Sequence, residues 1–230
     1  MTIKCYFLLC VYLFLNFNSL FAQLPSNSKW RAEGSWAHAS EKFQISASLH
    51  RIHSIALKQK FSIGYGLRFS FFEGRALNYI SAPPLLAADQ SKQAQWYLND
   101  AQVNFLNLEI HLHYQLLPRI ELGFNIDALG LSWGAPKEGI LNLNNGTQQL
   151  HRGTPTAYNI LLIGNADVGS LNANSYIVYR VNQHWGVGLS YSHLYTEYTL
   201  DQKVVANFEN DRFRNKSWLL RWVVRYYFGN

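Results

Sequence analysis

Two-residue alternation of apolar and polar side chains, sustained over long stretches, constrains this chain more than any other feature. In the clearest stretch Leu106, Leu108, Ile110, Leu112, Tyr114 and Leu116 share one parity, while Asn107, Glu109, His111, His113 and Gln115 share the other. Successive side chains of a strand point to opposite faces, so this segment is a strand with one greasy and one polar side. The final stretch repeats the pattern, with Trp218, Leu220, Trp222, Val224, Tyr226 and Phe228 opposite Leu219, Arg221, Val223, Arg225 and Tyr227. Similar strands are predicted over 61–72, 119–131, 171–181 and 185–199. Earlier, Phe43, Ile45, Ala47 and Leu49 alternate with Gln44, Ser46, Ser48 and His50, and a weaker segment carries Trp30, Ala32, Gly34 and Trp36. No helical periodicity interrupts the series, so the fold class is all-β with eight strands. Beyond His50 the parity would aim Arg51 and His53 outward, which predicts a bulge or an early strand end before Ala56.

The connections alternate in length. Residues 58–60, 117–119 and 182–184 read as tight turns, and between them lie long connections at 74–101, 134–170 and 201–212. Short turns on one rim and long loops on the other describe a closed up-and-down antiparallel transmembrane β-barrel with short periplasmic turns and long extracellular loops. A soluble barrel would preserve the same alternation with its faces exchanged, so composition has to decide. Charged residues are only 15% of the chain and aromatics are also 15%, against about 25% charged in ordinary soluble domains. The polar faces are mostly Gly, Ser, Asn and His, which suit a narrow hydrated interior better than a solubilising surface. The 11 residues from Leu106 to Leu116 cover about 25 Å at a tilt near 45°, the height of an outer-membrane apolar band.

At the start, Lys4, the apolar run from Tyr6 to Leu15, and Leu20-Phe21-Ala22 before Gln23 form the pattern of a secretory signal. The expected division is therefore a signal peptide at 1–22 and one barrel domain at 23–230. Both cysteines, Cys5 and Cys10, fall in the signal, so neither a disulfide nor a cysteine-bound metal is expected beyond it. The net charge of +6 is scattered along the chain, which disfavours a nucleic-acid partner and suits outer-membrane lipids.

The signal ending Phe21-Ala22-Gln23, the hairpin starts Phe61-Ser62-Ile63-Gly64-Tyr65 and Trp185-Gly186-Val187-Gly188-Leu189, and the closing aromatic strand resemble the small Gram-negative outer-membrane β-barrel proteins, the OmpX-like and OmpW-like class. The resemblance spans residues 23–230. It implies a monomer in the cell outer membrane and recognition of the last strand by the barrel-assembly machinery. It is silent on activity, because such barrels serve structural, adhesive, transport and lipid-modifying roles.

The assumed register points Arg68, Glu109, His111, His113, Glu121, Asp127, Arg180, Arg221 and Arg225 into the lumen, where they are expected to pair as a polar network. Glu109, His111 and His113 alternate on one face, but two histidines two residues apart are a weak metal signal, so no metal or cofactor is assigned. A lipid-modifying hydrolase or acyltransferase would need a set such as Ser190 or Ser192, His193 and Glu197, yet Ser192 and His193 point to opposite faces. The glycines of Gly64-Tyr65-Gly66 and Gly186-Val187-Gly188 lie inside strands, where they relieve crowding rather than bind phosphate. The leading expectation is a non-enzymatic barrel with a structural or loop-mediated binding role and an unnamed loop ligand. A lipid-modifying enzyme and a narrow passive channel are the alternatives.

Overall fold

The computed structural model describes residues 28–55, 60–143, 146–162, 164–205 and 209–228, so the expected signal peptide lies outside the described residues. The described strands are β1 (Ser28–Ala39), β2 (Lys42–Ile55), β3 (Phe61–Ser81), β4 (Gln95–Leu117), β5 (Ile120–Trp133), β6 (Lys137–Asn142), β7 (Gln148–Pro155), β8 (Tyr158–Ile160), β9 (Leu171–Arg180), β10 (Trp185–Val205) and β11 (Glu209–Tyr227). Eight of them, β1, β2, β3, β4, β5, β9, β10 and β11, pair antiparallel with their chain neighbours. The β1–β11 pairing, from Arg31 opposite Tyr227 to Trp36 opposite Trp222, closes the ring.

The outer wall carries an apolar belt. On β4 it runs from Leu116 up to Leu106 and gives way to Asn104 and Gln102; on β3 it runs from Phe61 to Phe71 and ends at Glu73; on β11 it runs from Phe228 to Trp218 and ends at Lys216. Trp30, Trp36, Leu49, Ile110, Leu131, Ile177, Val187, Trp218, Leu220 and Trp222 are exposed on this belt. Exposing so much contiguous apolar surface to water would be prohibitive, whereas acyl chains accept it. This is a transmembrane barrel, as the alternation predicts.

Above the belt the wall does not dissolve into loops. β3 continues to Ser81, β4 begins already at Gln95, and β10 and β11 run on to Val205 and from Glu209. The expected long connections at 74–101, 134–170 and 201–212 are thus about half strand. Here β4 exchanges its partner β5 for β6, β6 pairs with β7, β7 with β10, and β11 reaches across to β3 through Phe213 opposite Ser81. The result is a second closed ring of β3, β4, β6, β7, β10 and β11 stacked on the first. The short β1–β2 hairpin stops below it, turning at Ser40 and Glu41.

Where the rings meet, the β3–β4 pair reverses its parity. Gly74 and Leu77 both face inward with two residues between them, as do their partners Ala101 and Leu98, and Ala76 takes φ 52°. The upper ring is filled by Phe72, Leu77, Tyr79, Trp96, Leu98, Val103, Phe105, Leu141, Leu194, Tyr198, Leu200 and Phe213. It is an apolar cap on a polar lumen.

β2 corrects one expectation: it pairs in unbroken register with β1 as far as His53 and with β3 as far as Ile55, with neither bulge nor early end. Arg51 does point outward, and its guanidinium lies 5.7 Å from the Trp30 ring centre. His53 stacks on Tyr65, with ring centres 5.8 Å apart. Each side chain finds an aromatic neighbour near the lower rim, so the strand has no need to break.

Candidate functional site

All nine residues assigned to the lumen from parity face inward, and the structure sorts them into two layers. In the lower layer Glu121 of β5 is the hub. Its carboxylate accepts from Arg225 Nη1 at 3.0 Å, Arg31 Nη1 at 3.3 Å, Arg180 Nη2 at 2.5 Å and Tyr227 Oη at 2.9 Å. Arg225 also donates to Glu33 Oε2, with 2.6 Å from Nη2, and its guanidinium lies 4.5 Å from the Tyr176 ring centre. His113 belongs to this layer, its Nδ1 3.9 Å from Glu121 Oε2. Beneath it a cavity of about 210 Å³ opens at the lower mouth between Lys29, Arg31, His113, Gln115 and Arg180.

In the upper layer Arg68 of β3 spans the lumen. It pairs with Asp127 and donates to Asn125 Oδ1 at 2.9 Å and to the Asn172 carbonyl at 3.1 Å, and its Nη1 lies 3.1 Å from Glu109 Oε2. Asp127 Oδ2 accepts from Asn107 Nδ2 at 2.8 Å and from the Asn172 amide at 2.9 Å. Arg221 is tied to neutral groups, donating to Asn174 Oδ1 at 2.8 Å and to Ser35. Buried charges persist where they are paired and hydrogen-bonded, and here each of the five arginines places a terminal guanidinium nitrogen on an acceptor from another strand, while Nε of Arg31, Arg68, Arg180 and Arg221 finds none.

The expected network omits Arg31, Glu33, Tyr176 and the asparagines 125, 172 and 174, as well as Asn107 and Tyr227, which the alternation already puts on the inward face. Arg31 and Glu33 were legible as the face opposite Trp30, Ala32, Gly34 and Trp36. The metal candidates separate: Glu109 and His111 stay together, His113 drops to the layer of Glu121, and His50 of β2 takes its place beside them.

The serine, histidine and acid considered for acyl chemistry are not assembled. Ser192 lies in the lumen and donates to Asn172 Oδ1; His193 lies on the outer wall, stacked on Trp218 with ring centres 3.8 Å apart. Glu197, on the outer face of β10, is buried under residues 167–170. It accepts from Arg212 Nε at 2.8 Å, Arg214 Nε at 3.0 Å and the Gly169 amide at 3.1 Å. Those contacts pin the segment between β8 and β9 against the wall. Asn159 of β8 reaches into the barrel, donating to Asn107 Oδ1 at 2.7 Å.

Over both layers sits the cap. Trp96 packs edge-on against Tyr79 and Tyr198, with ring centres 6.1 and 5.6 Å away. The tyrosines keep their hydroxyls satisfied: Tyr79 shares a hydrogen bond with Thr196 Oγ1 at 3.0 Å, and Tyr198 donates to the Gln102 carbonyl at 2.8 Å. Burial pushes both phenols above the ordinary tyrosine range, so both stay neutral at any physiological pH.

No protein-family model matches the chain, and no curated protein sequence does. Among solved structures it is similar to Neisserial surface protein A, at 11% identity over 86% of this chain and 94% of that one, with a TM-score of 0.36. It is also similar to the N-terminal β-barrel domain of Pseudomonas aeruginosa OprF, at 12% identity, 88% and 98% coverage and a TM-score of 0.38. A third is Ail, the attachment invasion locus protein of Yersinia pestis, in complex with the heparin analogue sucrose octasulfate, at 7% identity, 87% and 97% coverage and a TM-score of 0.35. The architecture of this chain stands on its own strand pairing and side chains.

Proposed function

We propose that this protein is a non-conducting, non-enzymatic barrel of the cell outer membrane, whose stiff extracellular cap serves as a mount for surface binding. The observation that carries this reading is double occlusion. A hydrogen-bonded polar network fills the membrane-spanning ring, and a separate apolar core fills the ring above it. A solute would have to displace both, which speaks against a passive channel. The sheet continuation that closes the cap also holds the connections between strands away from the lipid on a rigid support, the arrangement that suits a binding surface.

Planar-bilayer recording tests the reading, with lipid mass spectrometry on the same membranes. The expected result is a silent bilayer and unaltered lipid masses. A stable unitary conductance would restore the channel, and an acyl-chain mass shift that depends on the protein would establish the enzyme.

A further inference from the structure

Three side chains from two strands meet across a third in the middle of the lumen. On β3, Gly66 pairs with His50 of β2 on one side and Glu109 of β4 on the other, while Gly64 pairs with Ile52 and His111. A Cβ at Gly66 would lie 2.5 Å from His50 Cβ and 2.8 Å from the Leu49 carbonyl oxygen. Only the absence of a side chain there lets the residues of β2 and β4 converge over β3. His50 and His111 stack with ring centres 4.3 Å apart, and His111 Nε2 and His50 Nδ1 lie 3.0 and 4.0 Å from Glu109 Oε1.

Glu109 has Arg68 Nη1 3.1 Å from Oε2 and His111 Nε2 3.0 Å from Oε1, yet the alignment of these contacts is poor. Neither ring nitrogen of His50, neither of His111 and neither carboxylate oxygen of Glu109 makes a hydrogen bond of good geometry, although all three residues are almost wholly buried. Other buried polar atoms, such as the Gln44 amide and the Nε of Arg31, Arg68, Arg180 and Arg221, also lack a partner, but they are scattered, whereas here six lie together on three touching residues. One ligand atom from each residue fits within 4.8 Å of the others. The donors of a tetrahedral zinc ion, at bonds of 2.0–2.1 Å, lie about 3.4 Å apart; the Glu109–imidazole separations of 3.0 and 4.0 Å lie on either side of that, and metal binding requires the stacked imidazoles to part and turn their ring planes onto one point. Arg68 takes Glu109 Oε2 and leaves Oε1 turned toward the imidazoles, the orienting role that an outer contact plays for a metal-binding carboxylate.

We infer that His50, Glu109 and His111 form a binding site for a divalent transition-metal cation of zinc-like preference, one that takes imidazole nitrogen and carboxylate oxygen and completes its shell with water. The site ties β2 to β4 across β3 and does not depend on the surface-binding role proposed above.

The test uses the full chain, stripped with a chelator and refolded in detergent with Zn²⁺ or, as a spectroscopic probe, Co²⁺. One equivalent is retained after desalting, with the ligand-field bands of tetrahedral Co²⁺. His50→Gln and His111→Gln each weaken retention at least tenfold, while His151→Gln, on β7 of the cap, leaves it unchanged. X-ray absorption of the zinc-loaded wild type needs no variant and reports two imidazoles with oxygen in the remaining shell. No retention by the folded wild type, a spectrum without imidazole, or retention indifferent to folded His50→Gln and His111→Gln would each overturn the site.

Discussion

Glu121 shows how much a single side chain can hold in a narrow barrel. Arg31 of β1, Arg180 of β9 and Arg225 of β11 converge on it, so one carboxylate joins strands from both ends of the chain. Removing one partner of a buried pair leaves the other charge uncompensated, and Glu121→Ala should lower unfolding stability by about 3–5 kcal/mol. Arg221, whose partners Asn174 and Ser35 are neutral, is a milder case. Arg221→Ala leaves unsatisfied groups but no stranded charge, at about 1–3 kcal/mol. Urea unfolding of the barrel refolded into lipid vesicles measures both, and a Glu121→Ala midpoint equal to the wild type would show that the network merely fills space. Gly130 supplies a second residue-scale case. It sits beside the register shift of β5, and a Cβ there would lie 2.3 Å from the Leu106 carbonyl oxygen and 2.0 Å from Asn107 Oδ1. Gly130→Ala should therefore disturb the Asn107–Asp127 contact, and the same unfolding assay should place it between wild type and Glu121→Ala.

At the scale of the element, β11 reads both solvents at once. Its outward face runs from Phe228 to Trp218, and its inward face carries Arg221 and Arg225. A one-residue slip would exchange them. Val224→Arg, near the middle of the belt, should cost about 2–4 kcal/mol, whereas Trp218→Arg, one step below Lys216, should cost about 0–1 kcal/mol. Equal costs from vesicle unfolding would mean that the belt is not centred as described. The strands of this belt were legible in the sequence because a surface shared between lipid and water writes itself as alternation, and the nine lumen residues followed from parity alone. The cap was not legible. Its inward residues Leu77, Tyr79, Trp96 and Leu98 keep the belt's sequence parity but face the other way, and the polar Glu73 and Arg75 on β3 and Asp100, Gln102 and Asn104 on β4 that separate them from the belt read as the end of a strand rather than its continuation. Glu197 escaped for a related reason: its cover comes from residues 167–170, distant in sequence and without periodicity. His50 was placed on the polar face, but its meeting with Glu109 and His111 needs the registers of three strands together.

The whole molecule is two barrels in series, and series closure makes a prediction that neither barrel makes alone. If permeation required only the weaker of the two seals to open, truncating the cap core would be enough to produce current. If the seals are independent and stacked, opening one leaves the other to block. Trp96→Ala with Tyr198→Phe should loosen the cap, since Trp96 is fully buried and such a truncation costs about 3–5 kcal/mol through the cavity it leaves. The bilayer should nevertheless stay silent, because Arg68, Glu109, Asp127 and the Glu121 cluster still span the lower lumen. Glu121→Ala alone should likewise stay silent under an intact cap. Current should appear only when both changes are combined, in traces recorded from the single and combined variants under one salt condition. Conductance from the cap variant alone would show that the polar layer is porous to ions, making the apolar cap the sole barrier between the two mouths of the barrel.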